Sequence, residues 1–215
     1  MKRYKAVIFD LDGTLLNTLE DLTDAVNHVM RQFNYPEHTI EEIRSFVGNG
    51  IKLLIERSLP DGKDNPEFDK IFSEFKLYYT SHCQIKTRPY DGIMELIAAL
   101  KEQGYKLAIV SNKNQSAVTE LNNIYFSDYI STAIGEKEGV RKKPAPDTVI
   151  KALSELCISS DDAVYVGDSD VDRETAENSN MDCISVTWGF RDRKLLESLN
   201  PYAIIDKPAE LLNYV

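Results

Sequence analysis

The run Ala6-Val-Ile-Phe9 constrains the fold most, because it is wholly apolar, does not alternate, and stops abruptly at Asp10. A strand with one solvated face alternates polar and apolar residues. One with no polar position is buried on both faces, as in a parallel sheet covered by helices on either side. A second carboxylate, Asp12, follows two residues later, then Gly13 and Thr14. Two like charges this close cost free energy unless a proton, a cation or hydrogen bonds compensate. Gly13 can adopt backbone conformations that other residues avoid, and Thr14 offers a hydroxyl and an N–H. In open α/β sheets, ligands bind beyond the carboxyl ends of the strands. The competing reading, an acidic surface turn, must be weighed against the remainder of the chain.

Length and charge narrow the field. A chain of 215 residues fits one large domain or two small ones. Its 25 basic and 35 acidic side chains give a net charge of −10. That balance argues against nucleic-acid or membrane partners, which require a basic surface. It leaves an anionic substrate open, since a bound metal reverses the local field. No apolar run approaches bilayer length, and the N-terminus reads directly into a strand, so a cytoplasmic location is expected. Cys83, Cys157 and Cys183 are widely spaced without a CxxC pair and read as reduced thiols. His28, His38 and His82 lack metal-ligand spacing and read as structural or surface residues.

Residues 15–33 show helical spacing, with Leu19, Leu22, Val26, Val29, Met30 and Phe33 on one face, ended by Tyr35-Pro36. Thr39-Ile-Glu-Glu42 has capping-box form and predicts a helix through Phe46. Gly48-Asn-Gly50 interrupts the pattern. Helices are expected again over 51–59 and 67–80, around a polar loop at 60–66, with no strand between Thr14 and Lys86. From Arg88 the pattern alternates. Helices are expected at 91–103 (capped by Gly104), 115–124 and 146–156, then one through Glu177 and a short final one. Strands are expected at 106–110, 130–134, 163–166, 183–186 and 202–205. This alternation predicts a Rossmann-like α/β fold, a parallel sheet with helices on both faces. An all-helical insertion at 16–85 would interrupt a core made of 1–15 and 86–215.

Polar residues cluster at the carboxyl ends of the expected strands: Asp10 and Asp12, Ser111, and Asp168 with Asp172. Parallel strands would gather them on one edge, an oxygen-rich pocket suited to Mg²⁺. Lys143-Pro-Ala-Pro146 brings a lysine, extended by Pro144, just before a helix. Taken alone, Arg141-Lys142-Lys143 reads as a solvated basic run, and Ser111 says little. Together, Asp10-Leu-Asp-Gly-Thr14, Ser111-Asn-Lys113, Lys143-Pro144 and Gly167-Asp-Ser-x-x-Asp172 resemble the motifs of the haloacid dehalogenase superfamily, in order and across essentially the whole chain. The cap segment Arg44-Ser-Phe-Val-Gly-Asn-Gly50 and Thr187-Trp-Gly189 are most similar to its phosphoglycolate phosphatases.

The resemblance implies an Mg²⁺-dependent phosphatase acting on a small phosphorylated metabolite through an aspartyl-phosphate, as a monomer or homodimer. Asp10 would be the nucleophile, and Asp12 the acid that protonates the leaving alcohol and later deprotonates water. Asp10, Asp12 through its backbone carbonyl, and Asp168 would hold the metal, with Asp172 acting through water or as an orienting group. Thr14, Ser111, Asn112 and Lys143 would bind phosphate, together with N–H groups near Leu11 and Gly13. The cap would close over the crevice and select the leaving group. There Gly48-Asn49-Gly50 would offer N–H groups to a carboxylate, or serve only as a helix–helix turn. One departure stands out: Ser179-Asn180 replaces the relatives' usual Ala-Gly, and Asn180 should keep the turn because asparagine tolerates left-handed backbone. An inorganic pyrophosphatase, a sugar-phosphate phosphatase or mutase, and a catalytically idle binding module are the alternatives. Asp12 argues against a dehalogenase and Ile51, where a second phosphate would want an arginine, against the mutase. Retention of every aspartate and of the lysine argues against the idle module.

Overall fold

The computed structural model describes residues 4–215. In chain order it contains β1 (Ala6–Phe9), β2 (Leu16–Asn17), α1 (Leu19–Gln32), α2 (Ile40–Phe46), α3 (Ile51–Ser58), α4 (Phe68–His82) and β3 (Arg88–Pro89). Then follow α5 (Ile93–Glu102), β4 (Lys106–Asn114), α6 (Gln115–Tyr125), β5 (Thr132–Glu136), α7 (Asp147–Leu156) and β6 (Ala163–Gly167). The last elements are α8 (Asp170–Asn178), β7 (Asp182–Val186), α9 (Arg193–Ser198), β8 (Ala203–Ile205) and a 3-10 turn at Pro208–Asn213. The chain forms two compact units, one of residues 1–16 and 89–215 and one of residues 17–88.

The larger unit is an α/β fold around a six-stranded parallel sheet of order β5-β4-β1-β6-β7-β8. β1 is buried on both faces, as its composition requires. Val7 and Phe9 join a cluster with Ile97 and Leu100 of α5 and Leu121 of α6, while Ala6 and Ile8 join one with Val149, Ala152 and Leu153 of α7. Each Val, Leu, Ile or Phe side chain so buried stabilises the fold by about 1.5–3 kcal/mol. Strand order reverses at β1, so the carboxyl ends of β4, β1 and β6 flank a topological switch point, where such sheets bind ligands.

Around β1 and β4, three local features differ from the sequence expectation. α1 begins at Leu19 rather than at residue 15, because the preceding residues are drawn into the turn after β1. The Leu15 and Leu16 amides donate to the Leu11 carbonyl, and the Gly13 amide donates to that of Leu16, with Gly13 at φ 91°. β2, within a stretch expected to hold no strand, belongs to the same return. β4 continues through Ser111-Asn-Lys113 to Asn114, with a register shift against β5 after Val110.

The helical unit contains α1–α4. Thr39 and Glu42 form the expected reciprocal capping box. Asp21 is buried and its carboxylate accepts the backbone N–H groups of Lys86 and Thr87 at 2.9–3.1 Å, joining the start of α1 to the end of the unit. Gly48 and Gly50 both lie at positive φ (117° and 87°), a conformation that favours glycine, and Arg57 donates to the Phe46 carbonyl and Asn49 Oδ1 across this loop. Among the described residues no helix is long and apolar enough to cross a membrane.

Candidate active site

The turn after β1, the carboxyl-terminal half of β4, the segment before α7 and the β6–α8 junction bring their polar side chains together. Among the described residues, Asp10, Asp168 and Asp172 form a buried group with carboxylate oxygens within 4.8 Å of one another. Lys143 neutralises two of them, its Nζ donating to Asp10 Oδ1 at 2.6 Å and Asp172 Oδ1 at 2.8 Å. Burial penalises the ammonium, yet the two carboxylates outweigh that penalty and hold its pKa well above the ordinary lysine value. Burial pushes the Asp10 carboxyl well up; Lys143 opposes this, and Asp172 and Asp168 add to it. Asp168 is pushed up to about 7, mainly by burial and then by the Asp172 charge.

Asp172 is the best-satisfied member. Tyr165 donates its hydroxyl to Oδ1 at 3.1 Å, while Oδ2 accepts the amides of Asp168 and Ser169 and the Ser169 hydroxyl at 2.6 Å. Ser169 and Asp172 form a capping box that starts α8, so this carboxylate is fixed by the helix it caps. Asp168 accepts the Thr14 hydroxyl at 3.1 Å and the Phe190 amide at 2.7 Å. Thr14, expected near phosphate, therefore makes its side-chain bond to a carboxylate. The backbone crowds these acids closely: a Cβ on Gly13 would lie 2.5 Å from Asp168 Oδ2, one on Gly189 2.3 Å from Asp168 Cβ, and one on Gly167 2.3 Å from Asp172 Cβ.

Strand periodicity sorts the β4 residues. Ser111 and Lys113 share one side, and both reach Asp12: Lys113 Nζ donates to Oδ1 at 3.0 Å and Ser111 Oγ lies 3.5 Å from Oδ2. Asn112 takes the other side, its amide accepting from the Lys143 N–H at 2.8 Å and donating to the Lys143 carbonyl at 3.0 Å. That reciprocal clamp seats the lysine, which precedes a cis proline. The Asp12 side chain is outside the three-carboxylate group and is paired with Lys113 instead. Gly48, Asn49 and Gly50 belong to the helical unit.

A family model described as haloacid dehalogenase-like hydrolase matches residues 7–186. The chain belongs to the haloacid dehalogenase-like hydrolases. A protein named phosphoglycolate phosphatase from Neisseria meningitidis is 33% identical over 201 residues, covering 91% of this chain and 86% of that one. Phosphoglycolate phosphatase 1 of Pseudomonas aeruginosa is 30% identical, covering 97% of this chain and 78% of its own. A crystal structure from Lactobacillus delbrueckii subsp. bulgaricus superposes with a TM-score of 0.93 at 39% identity, covering 98% and 97% of the two chains.

In this haloacid dehalogenase-like hydrolase, sequence reasoning gave no role to four site residues, three of which it had quoted within motifs. Lys113 had a signal in its i, i+2 relation to Ser111. Tyr165 is the one polar-tipped side chain in the apolar strand Ala163-Val-Tyr-Val. Ser169 had a signal too, since Ser-x-x-Asp has capping-box spacing. Gly189 had none, because its need for space arises from Asp168, which is remote in sequence.

Proposed function

We propose that the chain hydrolyses a small anionic phosphomonoester of the phosphoglycolate type, Mg²⁺-dependently and through an aspartyl-phosphate on Asp10. It is a phosphoric monoester hydrolase, and its relatives' names support the substrate class. The observation that carries the mechanism is the Lys143 ammonium between buried Asp10 and Asp172, because it holds a carboxylate nucleophile oriented where an anionic phosphate must approach.

The donor set fits a hard divalent cation. It is all oxygen, Asp10 Oδ2 has no hydrogen-bond partner among the described residues, and Asp168 lies within reach. Asp10, Asp168 and the Asp12 carbonyl would hold Mg²⁺, with Asp172 fixing Lys143 and the β6–α8 turn. The ion would supply charge neutralisation and orientation of the phosphoryl group.

In the first half-reaction an Asp10 oxygen bonds to phosphorus, the bond from phosphorus to the alcohol oxygen breaks, and Asp12 passes its proton to the departing alcohol. In the second, Asp12 takes a proton from water, the oxygen of which attacks phosphorus and releases Asp10. Lys143 and Ser111 would balance charge on the phosphoryl oxygens.

The test is phosphate release from a panel of phosphomonoesters, sugar phosphates and pyrophosphate, with Mg²⁺ and with EDTA, beside Asp10→Asn. Phosphoglycolate leading the panel, with activity lost to EDTA and in the variant, is expected. Pyrophosphate leading would reassign the substrate, and turnover surviving in Asp10→Asn would refute the covalent step.

A further inference from the structure

We infer that Lys113 is a positioning residue that aims Asp12 at the leaving-group oxygen. The inference rests on Asp12 acting as the acid and base proposed above. The Lys113 side chain is only 5% exposed and the Asp12 side chain 17%. Surface pairs such as Lys5–Asp162, at 65% and 37%, contribute little and leave both partners free to reorient. An ammonium withdrawn from water is costly unless an acceptor answers it. Asp12 Oδ1 does so as a carboxylate oxygen when Asp12 is the base and as the carboxyl's carbonyl oxygen when Asp12 is the acid, so Lys113 confines the Asp12 rotamer in both forms. Ser111 reinforces the arrangement: its Oγ accepts the Lys113 amide at 3.1 Å while standing beside Asp12 Oδ2.

The platform beneath Lys113 has no slack. Gly135 of β5 packs so closely on β4 that a Cβ there would lie 2.6 Å from the Lys113 carbonyl oxygen. Its amide donates to Gln115 Oε1 at 2.8 Å, and Gln115 Nε2 reaches the Ala133 carbonyl at 3.0 Å. Lys143 is already committed to Asp10 and Asp172, which leaves the two lysines with separate tasks. Lys143 serves the nucleophile and Lys113 serves the acid.

An acid matters in proportion to how badly the leaving group needs a proton. An alkyl phosphomonoester departs as an alkoxide and needs one, whereas 4-nitrophenyl phosphate departs as a stable phenolate. The experiment compares kcat/KM of Lys113→Met and Lys113→Ala on phosphoglycolate and on 4-nitrophenyl phosphate, with folding checked by thermal melting. Two sizes of replacement guard against one failing to fold. The loss on the alkyl substrate should exceed that on the aryl substrate by about 10-fold or more. Equal losses on both would overturn the inference, since a phosphate-binding or merely structural lysine has no reason to distinguish leaving groups. Asp12→Asn is the control. If it shows the leaving-group dependence and the Lys113 variants do not, the Lys113 inference fails; if Asp12→Asn shows none, the acid assignment fails instead.

Discussion

At Lys143 a single ammonium answers two buried carboxylates and accepts no compromise in length or position. Lys143→Met would leave Asp10 and Asp172 without their counter-charge, and breaking a buried pair in this way costs about 3–5 kcal/mol. The expected outcome is a matching fall in chemical-denaturation stability together with loss of turnover. Gly189→Ala tests the crowding around Asp168. The added Cβ, 2.3 Å from that residue's own Cβ, must displace the backbone, and overpacking of this kind costs about 1–3 kcal/mol. Weakened Mg²⁺ binding by calorimetry should accompany the stability loss. The acids at this site were legible in the sequence because charges at the end of an apolar strand need an explanation. The residues that hold them were less so, since Tyr165 looks like core and Gly189 like an ordinary turn until the fold brings Asp172 and Asp168 against them.

At the scale of elements, caps decide where helices stop. Asn180 lies at φ 53°, and the Met181 and Asn180 amides return to the carbonyls of Ala176 and Glu177, a Schellman closure of α8. Asn180→Gly should be close to neutral and Asn180→Ala should cost about 1–2 kcal/mol, read from denaturation midpoints. Asp21→Ala would remove the carboxylate that accepts the Lys86 and Thr87 amides, costing about 1–3 kcal/mol in the full chain. The expectation for Asn180 came from asparagine's tolerance of left-handed backbone and matches the observed φ. Two elements were harder to read. Ser111-Asn-Lys113 looks like a loop because it is polar throughout, and it is strand only because β5 continues beside it. α9 went unseen because it is six residues long, although Asp192 caps it by accepting the Leu195 amide.

Over the whole molecule, the buried acids couple stability to pH and, on the function proposed above, to Mg²⁺. Asp168 carries a folded-state pKa of about 7 against an ordinary 3.8, so between these values the folded chain binds a proton that the unfolded chain has released. Its contribution is therefore present at low pH and is lost as pH rises through about 7. Protons and a cation compete for the same oxygens, so Mg²⁺ should raise Tm more at about pH 7.5 than at about pH 5.5. Thermal melts with Mg²⁺ and with EDTA at both pH values check this, and an equal rise at both would count against the carboxylate cluster as the binding site.

The Asn112 clamp has one more consequence. It grips Lys143 by the backbone from β4, so the amine's position is set at the clamp and not by the length of chain leading to it from β5. The approach passes Gly139, around which a Cβ would meet nothing within 4 Å. Residues 137–140, ahead of the Arg141–Asp147 pair, are thus where the gene can gain codons with least effect on the chemistry, whereas an insertion between Lys143 and Pro144 would part the clamped lysine from the segment that starts α7.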